Sequence, residues 1–188
     1  MPEAVHPLQR APRACGECGL CCKLQAIDEL QKPAGRWCAH YARGKGCTIH
    51  ETRPAACRSY QCVWTMMRAF GDEWRPDRAK FLMDAGENQI VIYPDPGAPD
   101  AWRREPFHSR IKALSSRAQR PFTMVLVRQR SRMIVVFPEA EIDLGPDRPE
   151  MEIQSGYELV AGKPTPYARF RPRHKPGAQS LLDEGAES

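Results

Sequence analysis

The sequence predicts an α+β fold: a cysteine-rich metal-binding lobe attached to a small antiparallel sheet with one covering helix. Three observations lead there. All eight cysteines fall between Cys15 and Cys62, and none occurs in the last 126 of the 188 residues. Short β-rich runs broken by Gly, Pro and Arg clusters fill much of the rest. One stretch, 100–120, instead repeats apolar residues at helical spacing. The expected division is a flexible leader over 1–14, a cysteine-cluster lobe over 15–70, an α+β portion packed on it over 71–175, and a loose tail over 176–188.

Composition says why such a chain needs reinforcement. Leu, Ile, Val and Phe number 33 of 188, about 18%, with 18 prolines and 13 glycines besides. A core that thin is commonly reinforced by disulfides or metals. The net charge of +5 is too small for self-repulsion to limit folding. No apolar run approaches the roughly 18–20 residues that span a bilayer, so no membrane segment is expected. Residues 1–13 have no apolar stretch behind their charges, which argues against a secretory signal and for the cytosol. In a reducing compartment thiols bind metals more often than they pair, so a disulfide-stapled secreted protein is the least supported class. There is no 20–50-residue repeat, heptad pattern or low-complexity tract.

The elements follow in order. Residues 63–70 read as a short helix stopped by Gly71. Residues 80–84 and 89–93 read as strands, the second cut off by Pro94 and Pro96. In the helix over 100–120, broken near Pro106, Phe107, Ile111, Leu114 and Ala118 would face the sheet. Runs 122–127 and 133–137 are β-rich and joined by a hairpin over 128–132. Short strands follow at 151–153 and 157–160. Charge is uneven: 101–132 carries nine Arg or Lys against one Glu, and 139–152 carries six acids against one Arg. The basic stretch could meet a polyanion. No nucleic-acid motif accompanies it, so a solvated face pairing with the acidic segment is the better reading. Trp102, Phe107 and Phe122 sit at spacings that suit the core.

The chemistry lies in Cys15-Gly-Glu-Cys18-Gly-Leu-Cys21-Cys22. Two residues between cysteines let the chain fold back so that both sulfurs meet one ion, and Gly16 and Gly19 accept the positive φ of such turns. Three cysteines at C-x2-C-x2-C can hold three irons of a cubane cluster, a remote cysteine taking the fourth. The same pairs with two later cysteines make a tetrahedral zinc site. An all-thiol set disfavours calcium and magnesium. If the chain is extended at Cys21 and Cys22, their side chains point to opposite sides. Either two sites then share the segment or one of the pair is a packed or free thiol.

The remaining cysteines, Cys38, Cys47, Cys57 and Cys62, lie in Cys47-Thr-Ile-His50, Arg53-Pro54, Cys57-Arg58 and Cys62-Val-Trp64 surroundings. With the leading C-x2-C-x2-C-C, this resembles the YkgJ-like CxxCxxCC-type family, a zinc- or iron-chelating domain, over residues 15–64 with a weaker echo to Asp84. His50 stands where the family usually has tyrosine; an imidazole filling an aromatic slot is favoured over an added ligand, and His40 is read likewise. The resemblance implies metal binding through all eight cysteines, by an iron–sulfur cluster in preference to zinc. Some relatives are linked to flagellin lysine methylation, which makes a protein-modifying cluster enzyme the alternative, although no G-x-G-x-x-G or Walker pattern is present. A nucleic-acid-binding module using 101–132 is the other alternative. Arg53 and Arg58 flank Cys57 and could offset thiolate charge. Pro54 fixes the entry to the Cys57 turn, and Tyr60 and Trp64 would shield the site. The role is structural or redox; the catalytic residues, protein partner and oligomeric state are left open.

Overall fold

The computed structural model describes residues 13–60, 62–86, 88–116 and 124–173. The chain divides into two compact units, Met1–Asp147 and Arg148–Ser188. The expected tail over 176–188, Ala118, Phe122 and most of the leader lie outside the described residues.

The first unit begins with short elements: helix α1 (Leu20–Leu24), the two-residue strands β1 (Tyr41–Ala42) and β2 (Gly46–Cys47), and helices α2 (Ala55–Ser59), α3 (Val63–Met66) and α4 (Pro76–Ala79). Helix α3 is shorter than the helix expected over 63–70. Met67 is already extended, and the Trp64 indole donates to the Gly71 carbonyl at 3.0 Å, folding the chain back. That turn sets the Phe70 ring against Trp74, tilted and 4.6 Å between centres. Pro76 opens α4 at the position where a missing N–H costs nothing. Lys80, left-handed at φ 65, ends it, which moves the next strand one residue on from the expected start.

Strands β3 (Phe81–Ala85), β4 (Gln89–Pro94), β5 (Met124–Gln129), β6 (Arg132–Val136) and β7 (Glu141–Pro146) form one sheet in that order. The sheet is mixed, which corrects the all-antiparallel expectation: β4 and β5 run parallel. Parallel neighbours need a crossover. Here it contains a 3-10 turn over Ala101–Arg103 and helix α5 (Phe107–Leu114), separated near Pro106 as the sequence suggested. Phe107, Ile111 and Leu114 are buried against Ile90, Ile92, Val125, Val127, Ile134 and Val136. Trp74, Phe81 and Phe107 meet edge-to-face at 4.9–5.9 Å, a geometry aromatic rings favour. The turn between β5 and β6 is tighter than expected, only Arg130 and Ser131 lying outside the strands. Strand β7 lies within the acidic stretch 139–152, over residues where the sequence reading places no element.

Three arginines of the basic stretch are spent on the acidic one. Arg103 donates to Glu141 at 2.8 Å, Arg128 to Asp147 at 3.0 Å, and Arg132 to Asp143 at 2.8 Å. Glu141 also takes His108 Nε2 at 2.8 Å. Burial works to raise the Glu141 carboxyl, but Arg103 and His108 outweigh it and hold it below its ordinary value. A carboxyl depressed in the fold stabilises it above the unfolded value near 4.5 and loses that contribution as the pH falls. Glu141→Gln is therefore expected to cost about 2 kcal/mol at pH 7. The gap from wild type should shrink below about pH 4.5 in urea titrations. A gap unchanged down to pH 3 would contradict this.

The second unit is a ribbon of β8 (Met151–Val160) and β9 (Lys163–Pro172), antiparallel throughout. Ala161 and Gly162, at φ 49 and 76, make the two-residue turn that hairpins favour. The two short strands expected at 151–153 and 157–160 are one continuous strand, and β9, for which no strand is expected, carries Pro164, Pro166 and Pro172. In this register those prolines fall on alternate positions whose nitrogens face away from β8, where no ladder bond is lost. Leu159 and Val160 near the tip are exposed. Among the described residues no helix is long and apolar enough to cross a membrane.

Candidate functional site

Residues 13–62 form a lobe with little apolar interior of its own. Its buried cluster is Cys18 and Leu20 against Leu82 of β3, with Leu24, Cys21, Tyr60 and Tyr93 packed alongside. Lys23 of α1 ties the lobe to the sheet through Asp95 at 2.6 Å. Gly16 and Gly19 both take positive φ, 58 and 63, as the tight turns of the motif require. Gly19 is also held to glycine by space, since a Cβ there would run into the Tyr41 ring. That ring is itself stacked on Trp37 at 4.3 Å.

The chain is helical, not extended, at Cys21 and Cys22, which corrects the expectation that they point to opposite sides. Both thiols line one cavity of about 470 Å³, together with Cys15, Cys47, Cys57 and Cys62. Cys18 is buried behind it. It faces a small void of about 20 Å³ that Cys15, Cys21 and Cys62 also touch. Cys38 is buried and lines neither space, though its backbone N–H donates to the Cys22 carbonyl at 2.9 Å. All eight cysteines are free thiols.

Their mutual influence separates them into two sets. Cys15, Cys18, Cys21 and Cys62 share the small void, and Cys15 acts electrostatically on both Cys18 and Cys62. Cys57 instead feels Cys22, Cys47 and Cys38, and Cys22 hydrogen-bonds Cys47. The sets join at Cys21, whose thiol hydrogen-bonds Cys15 and Cys22 and is pushed far up by those bonds and by burial, and Cys15 also acts directly on Cys22. The same bonds pull Cys15 and Cys22 down to about 7 against the opposing effect of burial. Burial takes Cys18 up to about 12. Among the described residues no three Cys, His, Asp or Glu side chains are posed to close on a single ion.

The cations divide differently from the sequence reading. Arg53 lines the cavity and lowers Cys15. Arg58 instead reaches back to the Arg53 carbonyl at 2.6 Å. Lys32, which no spacing singles out, is 7% exposed, and its amine donates to the carbonyls of Lys23, Gln25 and Pro33. Burial pulls its pKa down, and Cys38, Cys22, Cys21 and Cys57 pull it back up. His50 lines the cavity rim, within 3.3 Å of Arg53; His40 does not line it. Trp64 is buried in the main core and lines the small void. Tyr60 and Gln25 line the thiol cavity on one side and a second, larger groove on the other.

Comparison with protein-family models, with curated proteins and with solved structures finds no match to this chain.

Proposed function

We propose that the lobe is a thiolate metal centre with a structural or redox role, working in a reducing, cytosolic setting. It uses all eight cysteines as two adjoining sets, Cys15, Cys18, Cys21 and Cys62, and Cys22, Cys38, Cys47 and Cys57. An iron–sulfur cluster is the favoured occupant and zinc the alternative. The observation that carries the reading is the convergence of six thiols on one cavity, with the other two buried beside it.

The donor chemistry fits. Free thiols, two of them lowered toward neutrality, are the ligands that iron–sulfur clusters and structural zinc take. Arg53 and Lys32 supply positive charge against the excess negative charge of four thiolates on a divalent ion. Cysteines spaced around a void suit a cluster, in which each iron takes its own thiolate. A zinc ion needs four sulfurs about 2.3 Å from one point.

The test is anaerobic purification of the full chain, visible absorption, and assay of iron, zinc and acid-labile sulfide on one sample. A brown protein with iron and sulfide in similar amounts supports the cluster; colourless protein with two zinc ions per chain supports the alternative. Cys62→Ala and Cys57→Ala should each lose the metal of one set and keep that of the other. Protein with neither metal would overturn the reading.

A further inference from the structure

Residues 13–62 carry eight Lys or Arg, and five of them are engaged within the fold. Arg13 donates to the Trp64 carbonyl at 3.2 Å, Lys23 to Asp95 at 2.6 Å and Arg58 to the Arg53 carbonyl at 2.6 Å. Lys32 holds its carbonyls and Arg53 holds His50. The other three, Arg36, Arg43 and Lys45, are exposed, and among the described residues no ion pair or hydrogen bond takes up their side chains. All three fall in 30–50, a stretch with no Asp or Glu. Glu17, whose backbone meets Gly46, pairs with none of them.

The fold gathers these cations around an aromatic pair. Arg43 and Lys45 form the tip of the β1–β2 hairpin, on either side of Gly44, and the Lys45 N–H closes it on the Ala42 carbonyl at 3.0 Å. Strand β1 carries Tyr41, on which Trp37 stacks, 4.3 Å between centres and 15° from parallel. Arg36 immediately precedes Trp37. The hairpin is seated closely on the C-x2-C turns: a Cβ at Gly46 would come within 2.5 Å of the Gly16 carbonyl, and one at Gly19 would strike Tyr41.

Trp37 is the anomaly of this surface. It is 50% exposed, whereas Trp64, Trp74 and Trp102 are at most 7% exposed. Parallel stacking of two rings can be extended by a third, and half of the indole is in water to receive it. Cations beside an open aromatic ring are how single-stranded nucleic acid is held, phosphates on the charges and a base on the ring. A duplex keeps its bases stacked on one another, so it cannot use the indole. An acidic peptide brings carboxylates for the cations but leaves the indole unused. The basic stretch 101–132 is not this surface, since Arg103, Arg128 and Arg132 are spent on acids.

We propose that Trp37, with Arg36, Arg43 and Lys45, forms a binding surface for single-stranded nucleic acid. One base stacks on the indole, and the neighbouring phosphates take the three cations. The surface contains no cysteine, so it stands apart from the function proposed above.

The test is tryptophan fluorescence of the full chain, purified anaerobically, against oligo(dT) and oligo(U) of about twelve nucleotides. Because the other three tryptophans are buried, quenching reports Trp37. Saturable quenching is expected and should weaken steeply as salt rises. The tighter of the two oligonucleotides identifies DNA or RNA as the source. Binding read by anisotropy of the labelled oligonucleotide should fall about tenfold in Trp37→Ala. Replacing Arg43→Ala and Lys45→Ala together should lower the slope of log affinity against log salt by about 0.7 for each cation removed. Both tip side chains are exposed, so this variant keeps the proposal testable should Trp37→Ala unsettle the lobe. Absence of salt-sensitive binding to either oligonucleotide would overturn the proposal. So would undiminished binding by Trp37→Ala, which would reduce the surface to bare charge, or equal quenching by poly-L-glutamate, which would make the partner an acidic protein. Metal assayed on the same samples separates the two readings: nucleic-acid binding without metal sinks only the metal centre, and metal without such binding sinks only this surface.

Discussion

Removing the metal on the proposed reading is expected to unfold residues 13–62 and leave the five-stranded sheet folded. Among the described residues the lobe buries little apolar side chain of its own, Cys18, Leu20, Ile27 and Cys38, whereas the sheet and its covering elements bury a core that includes Trp64, Trp74, Phe81, Trp102 and Ile111. Ordering each residue costs about 1–2 kcal/mol of backbone entropy. A thiolate-held zinc is worth about 10–16 kcal/mol, more than many whole domains have to spare. Hydrogen-exchange mass spectrometry on anaerobic loaded and stripped protein would show it. Protection should vanish in α1, α2 and the β1–β2 pair and persist in β3 to β6. Equal protection in the two samples would mean that the lobe stands without metal.

Lys32→Met is expected to be the most damaging single change in the lobe outside the cysteines, costing about 3 kcal/mol. The side chain keeps its length and apolar stem, so the loss comes from the amine. Three carbonyls, of Lys23, Gln25 and Pro33, would lose their common donor, and four cysteines would lose a nearby cation. Lys32→Arg should not rescue it, because a planar fork cannot serve three carbonyls converging on one point as an ammonium does. Denaturant titration of the metal-loaded protein is the measurement. A variant within 0.5 kcal/mol of wild type, about the usual scatter of neutral surface changes, would show that water replaces the amine.

The sequence made the grouping of thiols legible but not their sorting. C-x2-C-x2-C-C marks where the thiols gather because its turns are local, and Gly16 and Gly19 declare them. Which sulfur faces which depends on α1, a five-residue helix whose Cys-Cys run carries no helical periodicity. Lys32 was hidden for a related reason: a lysine before a proline looks like any loop residue until three carbonyls from separate positions converge on it. In the sheet, the alternation of Ile90 and Ile92 was readable, whereas the parallel pairing of β4 with β5 follows from the crossover. Strand β9 defied propensity, since its prolines are tolerable only on the outer side of an edge.

Those prolines have a consequence for how copies of the chain can associate. Cross-β fibres grow because every strand in the stack offers hydrogen bonds both upward and downward. The ribbon cannot do this along β9, where Pro164, Pro166 and Pro172 interrupt the outward row of donors. A stack begun on this ribbon would therefore have a dead end built into each unit. The exposed Leu159 and Val160 at the tip can then be carried without seeding a filament.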